Sequence, residues 1–284
     1  MRGSGVTSIA HVSDLHLAPV PFPFGEGLKP ALGWINWRRK PGAHDPALGL
    51  RVAAAVRAAS PDHVALTGDL IELGLASEYG AAAEALAAFG PPCRLSWAPG
   101  NHDVYTARAV PRLRDGLGGW LAPEAAPQND ADIRGHFPRL VVTGRVALVT
   151  LCSGLPTWLF SAEGELGAAQ LSRLDAMLSA IDRTAHLPVI AVHHPPHAPG
   201  LSPLKRLRDG QALMALLARH RCPLVLHGHL HRACEATTTI DGFAITLAGA
   251  PSASSAGHHG DDPAGYSLVQ VDEALRWRIE RHAV

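Results

Sequence analysis

Five short segments hold the side chains that could do chemistry, and each follows a run of apolar residues. The first places a carboxylate and an imidazole two positions apart, at Asp14 and His16. At the extended end of a strand, residues with this spacing point the same way, so an oxygen and a nitrogen could reach one divalent metal ion. The other segments are Gly68-Asp69, Gly100-Asn101-His102-Asp103, His193-His194-Pro195-Pro196-His197 and His227-Gly228-His229-Leu230-His231.

The segment Gly100–Asp103 presents three different functional groups after a turn glycine. An amide, an imidazole and a carboxylate in succession could provide a metal ligand, a proton donor and an acceptor that orients the donor. Asn, His and Asp are also ordinary turn residues, so the segment taken alone fits a polar turn equally well. Its interpretation therefore depends on the other four segments.

The elements that must position these segments alternate between strands and helices. Apolar runs predict strands over residues 6–12, 63–67, 93–98, 145–151, 187–192 and 224–226, and helical spacing predicts helices over 46–59, 77–89, 166–181 and 211–219. This alternation indicates parallel strands, so the polar segments would meet at the carboxyl edge of a sheet. Residues 106–144 are expected to be irregular with one short helix, and the pattern after residue 236 predicts an antiparallel meander.

An insertion at about residues 18–45 interrupts the alternation. Its five prolines are expected to break regular structure, while large aromatic and aliphatic residues precede the basic triplet Arg38–Lys40. A connection of this length in a folded domain usually has a function. Two interpretations stay open: a lid packed on its own core, or an apolar and basic flap over a substrate with apolar and phosphate parts.

The composition limits the classes of protein to consider. A chain of 284 residues without an internal repeat is expected to form one domain over residues 1–284. Its 25 basic residues balance 25 acidic ones, so the overall charge indicates no nucleic-acid partner. Four scattered cysteines, and no apolar run of about 18 residues, predict a cytoplasmic protein without a transmembrane segment. The 17 histidines are unusual, and their clustering points to metal.

Together, the five segments in this order resemble the calcineurin-like metallophosphoesterase superfamily, whose members include purple acid phosphatases, cyclic-nucleotide phosphodiesterases and nucleases. The resemblance extends from Asp14 to His231 with every segment present. It implies an α/β fold in which a two-sheet β-sandwich is flanked by helices on both sides. It also implies hydrolysis of a phosphoester. The pattern is most similar to the bacterial branch of cyclic-nucleotide and glycerophosphodiester phosphodiesterases, which favours a diester over a monoester.

The resemblance implies a centre of two metal ions, Mn, Fe or Zn, about 3.5–4 Å apart and bridged by a carboxylate and a hydroxide that attacks phosphorus in line. Asp69 would be the bridging carboxylate. The first metal would be completed by Asp14, His16 and His231, and the second by Asn101, His193 and His229.

Further roles follow from the same resemblance. His102 would face the leaving oxygen and donate a proton or hydrogen bond to it, held in orientation by Asp103. His194 and His197 would either contact the substrate or form structural hydrogen bonds at the rim of the site. Ser252 or His258 could reach a pocket, although a solvent-exposed loop is the simpler role for their segment.

Two alternatives to a soluble phosphodiesterase remain. The insertion, at residues 19–40, could hold a lipid-linked pyrophosphate and contact a membrane surface peripherally, similar to the UDP-diacylglucosamine hydrolases of the superfamily. The best-known branch of those enzymes has Arg where His102 stands, which counts against that branch. The second alternative is a scaffold that keeps the fold without catalysis, but such proteins usually lack several metal ligands, and all seven are present in this sequence.

Overall fold

Eleven strands of the described residues form two stacked sheets in a computed structural model, which describes residues 5–17, 20–121, 132–257 and 260–284. In chain order the strands are β1 (Thr7–Val12), β2 (His63–Leu66), β3 (Leu95–Trp97), β4 (Arg139–Thr143), β5 (Val146–Thr150), β6 (Leu187–Val192), β7 (Leu224–His227), β8 (Cys234–Ile240), β9 (Phe243–Gly249), β10 (Gly265–Val271) and β11 (Trp277–Ala283). The helices are α1 (Leu28–Arg38), α2 (Pro46–Ala59), α3 (Glu78–Phe89), α4 (Ala109–Leu121), α5 (Ala168–Ala180) and α6 (Gly210–Arg219).

The first sheet has the strand order β11-β10-β1-β2-β3, and the second has the order β4-β5-β6-β7-β9-β8. Strands β1, β2 and β3 are parallel, as are β5, β6, β7 and β9. Each of the parallel strands before residue 228 is buried along its whole length. A strand covered on both faces needs a continuous apolar sequence, which is why these strands were recognisable.

Three apolar layers hold the sandwich together. Side chains of both sheets, such as Ile9 and Val189, meet between them. Helices α2, α3 and α4 pack on the outer face of the first sheet, and α5 and α6 pack on the second. Helix α2 shows how local sequence supports this packing: the Asp45 carboxylate caps its first turn, and Val52 and Val56 face the core. The predicted fold class, an α/β sandwich with helices on both sides, is confirmed.

The prediction of one antiparallel meander after residue 236 is wrong. Strands β8 and β9 form a hairpin in the second sheet, where β9 runs parallel to β7. Strands β10 and β11 form another hairpin, in the first sheet, where β10 pairs with β1. The segment between β9 and β10 crosses from one sheet to the other. Two hairpins in different sheets have the same sequence periodicity as a meander, so the pattern could not separate them.

The insertion is more regular than its prolines predict. Its described residues contain α1, in which Pro30 occupies the first turn. Proline is tolerated there because the backbone N–H groups of a first turn have no acceptor within the helix. Trp34 and Trp37 of this helix pack on a small apolar cluster formed by Val20, Leu73 and Leu75. Residues 18 and 19 of the insertion, and His258, lie outside the described residues. No described helix is both long and apolar enough to cross a membrane.

Candidate metal centre

Both sheets deliver polar side chains to the same edge of the sandwich, where the parallel strands end. Asp14 and His16 follow β1, and Asp69 follows β2. The turn after β3 contains Asn101. His193, His229 and His231 come from the second sheet, after β6 and β7. The seven residues predicted as metal ligands are thereby brought together, as the parallel topology requires.

Five of these seven residues have left-handed backbone conformations. Asp14, His16, Asp69, His229 and His231 have φ angles between 42° and 68°. For a residue with a side chain this conformation costs roughly 1–3 kcal/mol, and such residues concentrate at functional sites. In the loops after β1, β2 and β7, these left-handed residues turn the chain sharply at the end of the strand.

The first cluster contains two imidazoles and two carboxylates. The Nε2 atoms of His16 and His231 are 3.1 Å apart, and Asp14 Oδ1 lies 3.4 Å from His231 Nε2 and 3.8 Å from His16 Nε2. Asp69 Oδ2 lies 3.9 Å from His16 Nε2. Two imidazole nitrogens this close need a proton or another cation between them, so the donor set fits a metal ion.

The second cluster surrounds the Nε2 atom of His193, which is fully buried. Asn101 Oδ1 lies 3.2 Å from that nitrogen, His229 Nδ1 also 3.2 Å and Asp69 Oδ2 3.1 Å. Asp69 thus directs one oxygen, Oδ2, toward both clusters, while its Oδ1 accepts the backbone N–H of His102 at 2.8 Å. A mixed nitrogen and oxygen donor set of this kind suits Mn, Fe or Zn.

Outer hydrogen bonds fix the rings. His193 Nδ1 donates to the carbonyl oxygen of Thr67 at 2.7 Å, and His231 Nδ1 lies 2.8 Å from Asp261 Oδ2. His16 Nδ1 lies 3.2 Å from a carboxylate oxygen of Glu72. These contacts leave the other ring nitrogen of each histidine directed at the cluster, which is the arrangement seen around bound metals.

Glycines permit the close approach of these loops. A Cβ at position 228 would lie 2.6 Å from Asp14 Oδ2 and 2.7 Å from the Thr67 carbonyl oxygen. Moving either group would disturb a cluster, because Asp14 belongs to the first and the Thr67 carbonyl oxygen accepts a hydrogen bond from His193 of the second. The glycine before His229 is therefore required by space.

A cavity of about 490 Å³ opens beside the first cluster. His16 and His231 of that cluster line it, together with His102 and Tyr105. The insertion contributes one wall, including Trp37, Arg38, Lys40 and His44. The first cluster is accordingly accessible to a small molecule beside the insertion.

Residues 7–233 match the family model described as calcineurin-like phosphoesterase. The chain belongs to this family. Calcineurin-like phosphoesterases use a dinuclear metal centre, and the two clusters of this chain fit one. The family also establishes the general chemistry as metal-dependent hydrolysis of phosphoesters. No curated protein matches the sequence.

Solved structures agree with this fold. A dimetal phosphatase from Danio rerio superposes with a TM-score of 0.67 at 13% identity, covering 99% of this chain and 97% of the other. Purple acid phosphatase from yellow lupin seeds gives 0.63 at 15% identity, covering 99% of this chain and 52% of the other. A 5'-nucleotidase precursor from Thermus thermophilus gives 0.54 at 15% identity, covering 98% and 54%. The chain thus spans about half the length of the latter two.

Asp103 does not contact His102 in this phosphoesterase, so its predicted role as the orienting acceptor is corrected. Its carboxylate accepts three backbone N–H groups instead: those of Asp69 at 2.9 Å, Leu70 at 2.8 Å and Gly100 at 2.8 Å. Asp103 therefore ties the loop after β2 to the loop after β3. An ionised carboxylate has enough lone pairs for all three bonds.

The Asp103→Asn variant is expected to lower the free energy of unfolding by about 1–3 kcal/mol, because an amide NH₂ would face a buried backbone donor. Burial and the nearby charge of Asp69 raise the pKa of Asp103 to about 7, so ionisation of Asp103 costs folding free energy as the pH rises. Urea denaturation is therefore best measured at about pH 5.5, where the wild-type carboxyl is neutral like the asparagine amide and the change isolates the lost acceptor. Asp115→Asn, at an exposed site, is the matched control. An unchanged denaturation midpoint would contradict the structural role.

Glu72 orients His102 in place of Asp103. The ring Nδ1 of His102 donates to the backbone carbonyl oxygen of Glu72 at 2.7 Å, and a carboxylate oxygen of the same residue is 3.5 Å away. The Tyr105 ring stacks on the imidazole with centroids 5.6 Å apart. These contacts leave Nε2 of His102 as the nitrogen available to a substrate in the cavity.

The structure does not bring His194 and His197 into the cavity. His194 is fully buried, and its nitrogens bond to Ser153 Oγ at 2.8 Å and to the Ala162 carbonyl oxygen at 3.0 Å. Burial, reinforced by the charge of His193, lowers the pKa of His194 to about 3, so this ring is a neutral structural link. His197 is exposed in the loop after β6, outside the described lining of the cavity. Of the two roles left open for His194, substrate contact and structural hydrogen bonding, the structure shows the second.

Several residues at the site were not identified from the sequence. Glu72 lies three residues after Asp69 in the loop that follows β2, but no spacing rule connects it to His16 and His102. Asp261 and His44 are distant in sequence from every segment that they contact. Ser252, expected in a solvent-exposed loop, is fully buried and donates to the Asp14 carbonyl oxygen at 2.6 Å.

Charges in the metal-free site favour protonated histidines. Burial alone would lower the pKa of His193 and His231, but the carboxylates of Asp69 and Asp14 outweigh it and raise both pKa values to about 9. Burial is likewise outweighed at His16, where Glu72 raises the pKa well above its usual value. The carboxylates therefore favour positive charge among these rings, whether from bound protons or from metal cations.

Metal binding is consequently expected to release up to three protons per chain near pH 7. Since the raised pKa values belong to the metal-free protein, apparent metal affinity should rise as the pH increases toward about 9 and fall as it decreases. Titration calorimetry with Mn²⁺ in buffers of different ionisation enthalpy measures the number released. Binding without net proton release at pH 7 would contradict the assignment of these histidines as ligands.

Proposed function

We propose that this chain is a dinuclear-metal phosphodiesterase that cleaves a P–O bond by in-line attack of hydroxide. The observation that supports this best is the position of Asp69, whose Oδ2 faces both clusters beside an open cavity. A single carboxylate oxygen between two nitrogen-rich donor sets is the arrangement needed to hold two cations close together. Asp14, His16 and His231 would complete one ion, and Asn101, His193 and His229 the other.

The residues around the clusters would each have a distinct task. When bound, the two ions would supply the Lewis acidity that generates hydroxide from water and neutralises phosphoryl charge. His102 donates a proton from Nε2 to the leaving oxygen, and the Glu72 carbonyl oxygen keeps its ring in place. Asp103 holds the loops of Asp69 and Asn101 together.

The lining of the cavity favours a diester. Trp37 and Tyr105 both line it, and aromatic faces suit an organic ester group. Its described cationic side chains are Arg38 and Lys40, both on the wall that the insertion contributes. In a bound phosphodiester, one ester group would lie beneath that wall. The other, the leaving group, would lie beside His102.

Turnover of two model substrates by the Mn²⁺-loaded protein tests the proposal. The expected result is a kcat/KM for bis(p-nitrophenyl) phosphate at least about tenfold above that for p-nitrophenyl phosphate, a difference of about 1.4 kcal/mol in transition-state binding. A higher kcat/KM for p-nitrophenyl phosphate would show that the protein is a phosphomonoesterase and not a phosphodiesterase. Failure to hydrolyse any phosphoester while two metals are bound would leave a non-catalytic scaffold.

A lipid-linked pyrophosphate is a second candidate substrate, favoured by exposed aromatic residues beside the insertion. Phe24 is 84% exposed, Trp158 87% and Phe160 81%. Lys29 of α1 connects the two segments, since its Nζ donates to the carbonyl oxygens of Tyr105 and Thr157. Aromatic side chains near basic residues suit the interface of a membrane, so peripheral contact through residues 19–40 is part of this candidate.

The combined variant Phe24→Ala and Trp158→Ala separates the two candidates. If the substrate is lipid-linked, the variant should sediment less with vesicles containing anionic phospholipid and hydrolyse a lipid pyrophosphate more slowly. Its activity on bis(p-nitrophenyl) phosphate should stay at the wild-type level. Equal sedimentation of wild type and variant would reject the lipid candidate.

A further inference from the structure

His44 lies at the end of the insertion and beside the first cluster. Its ring centroid is 4.5 Å from that of His16 and 5.4 Å from that of His231, and the residue lines the cavity. The ring of His16 therefore has His102 on one side, at 4.9 Å, and His44 on another. No role has been assigned to His44 so far.

Short hydrogen bonds connect His44 to the loop that contains Asp14. The backbone of its neighbour Asp45 donates to the Ser254 carbonyl oxygen at 2.8 Å, and His44 itself pairs with Ser255 in an antiparallel bridge. The same segment is fixed to the loop after β1, because Ser252 Oγ donates to the Asp14 carbonyl oxygen at 2.6 Å. The end of the insertion at His44 is thus fixed relative to the first cluster.

The serine contacts place two hydroxyl groups at one nitrogen of the His44 ring. Nδ1 lies 2.9 Å from Ser254 Oγ and 3.4 Å from Ser252 Oγ, and the Ser252 hydroxyl proton is already donated to the Asp14 carbonyl oxygen. We take the tautomer in which the Ser254 hydroxyl donates to Nδ1 along the shorter contact. Nε2 of the neutral ring then has a hydrogen to donate.

One ring nitrogen each of His16, His44 and His231 lies within 4.8 Å of the others, so metal ligation is the alternative role for His44. Asp14, His16, His231 and the shared Asp69 already provide four donors to the first cluster. A phosphoryl group bound there would have non-bridging oxygens facing the cavity. Such an oxygen needs a donor to offset its charge, and an N–H bond to an anionic oxygen is among the stronger hydrogen bonds.

We propose that His44 binds the phosphoryl group, donating from Nε2 to a non-bridging oxygen at the first cluster, while Ser254 fixes its tautomer. The insertion thereby contributes directly to phosphate recognition as well as forming a wall. This inference rests on the proposed function for the position of the phosphoryl group. Its test uses inorganic phosphate as the probe, so that binding can be measured without turnover.

The experiment compares phosphate affinity, by titration calorimetry on Mn²⁺-loaded protein, with metal content by elemental analysis. His44→Ala is expected to keep both metals and to bind phosphate about 10–100-fold more weakly, as expected for a lost hydrogen bond to a charged group. His44→Gln should recover much of the affinity, because its amide also offers an N–H. His186→Ala, at the opposite end of β6, is the matched control and should bind like wild type.

Ser254→Ala distinguishes donation from simple wall packing. Alone, it should weaken phosphate binding severalfold, and it should have no further effect in a His44→Ala background, because the two residues act through one hydrogen bond. Loss of metal from His44→Ala would make His44 a ligand and overturn the proposal, as would unchanged phosphate affinity. Wild-type protein that bound metal but no phosphate would also overturn it. If the protein bound phosphate but hydrolysed no ester, the proposed function would be rejected. The proposal for His44 would then stand or fall on the phosphate affinity of His44→Ala relative to wild type.

Discussion

Replacing Asp69 with asparagine is expected to reduce turnover by about 10³-fold or more and to lower the metal content below two ions per chain. Asp69 Oδ2 lies 3.1 Å from His193 Nε2 and 3.9 Å from His16 Nε2, while Oδ1 accepts the His102 backbone N–H. Asparagine has one oxygen for these two tasks. Either the clusters face an amide NH₂, or the His102 N–H loses its acceptor.

Elemental analysis after extensive dialysis and turnover of bis(p-nitrophenyl) phosphate measure the two effects of Asp69→Asn. Asp115→Asn makes the same chemical change at an exposed position and should leave metal content and rate as in wild type. The thermal unfolding of the metal-free proteins should also be compared, since it reports whether Asp69→Asn folds. A folded variant with two metals and activity within tenfold of wild type would show that Asp69 is not the shared ligand.

Removal of the His102 side chain is expected to affect the rate without affecting metal content. The imidazole approaches the cavity without joining either cluster, and its Nδ1 is already bonded to the Glu72 carbonyl oxygen. General acid catalysis is typically worth 10²–10⁴-fold, so His102→Ala should lower kcat by about that factor for an alkyl leaving group. The loss should be less than about tenfold for p-nitrophenolate, which departs without a proton.

The dependence on leaving group separates proton donation from other roles of His102. Methyl p-nitrophenyl phosphate and a dialkyl phosphate provide the two extremes for kinetic comparison. Glu72→Gln is an informative second variant, because it keeps the backbone acceptor of Nδ1 while removing the carboxylate near His16 and His102, and should cost about tenfold. Equal losses on both esters, or loss of metal from His102→Ala, would exclude the acid role.

The parallel strands and the convergence of the seven predicted ligands could be predicted because one physical cause produces both. A strand buried on both faces must be continuously apolar, and its polar successor stands out at the sheet edge, as Asp14 does after β1. Order along the chain then identified the family, and the family implied the ligand set. The helices with capping residues, such as α2 after Asp45, were predictable for local reasons.

Contacts between residues far apart in sequence could not be predicted. Adjacency in the chain predicts that Asp103 orients His102. Its carboxylate instead accepts backbone N–H groups of another loop. The prolines of the insertion predict irregular structure and not helix α1. Pro30 lies in the first turn of that helix, where proline is tolerated, and its position there is not evident from the sequence. No motif or sequence spacing connects His44 to the predicted ligands. Hydrogen bonds with residues 252–256 hold it beside the first cluster.

The origin of the ligands in two different sheets gives the metal pair a mechanical role. Asp14, His16, Asp69 and Asn101 follow strands of the first sheet, whereas the other three histidines follow strands of the second. Two bound ions would therefore connect the two sheets at this edge and restrict their sliding and rotation against each other. Interior contacts between the sheets, such as those of Ala65 and Ala191, set the same alignment from within. The inter-sheet interior is thus a place where substitutions can adjust the reacting geometry without touching a ligand.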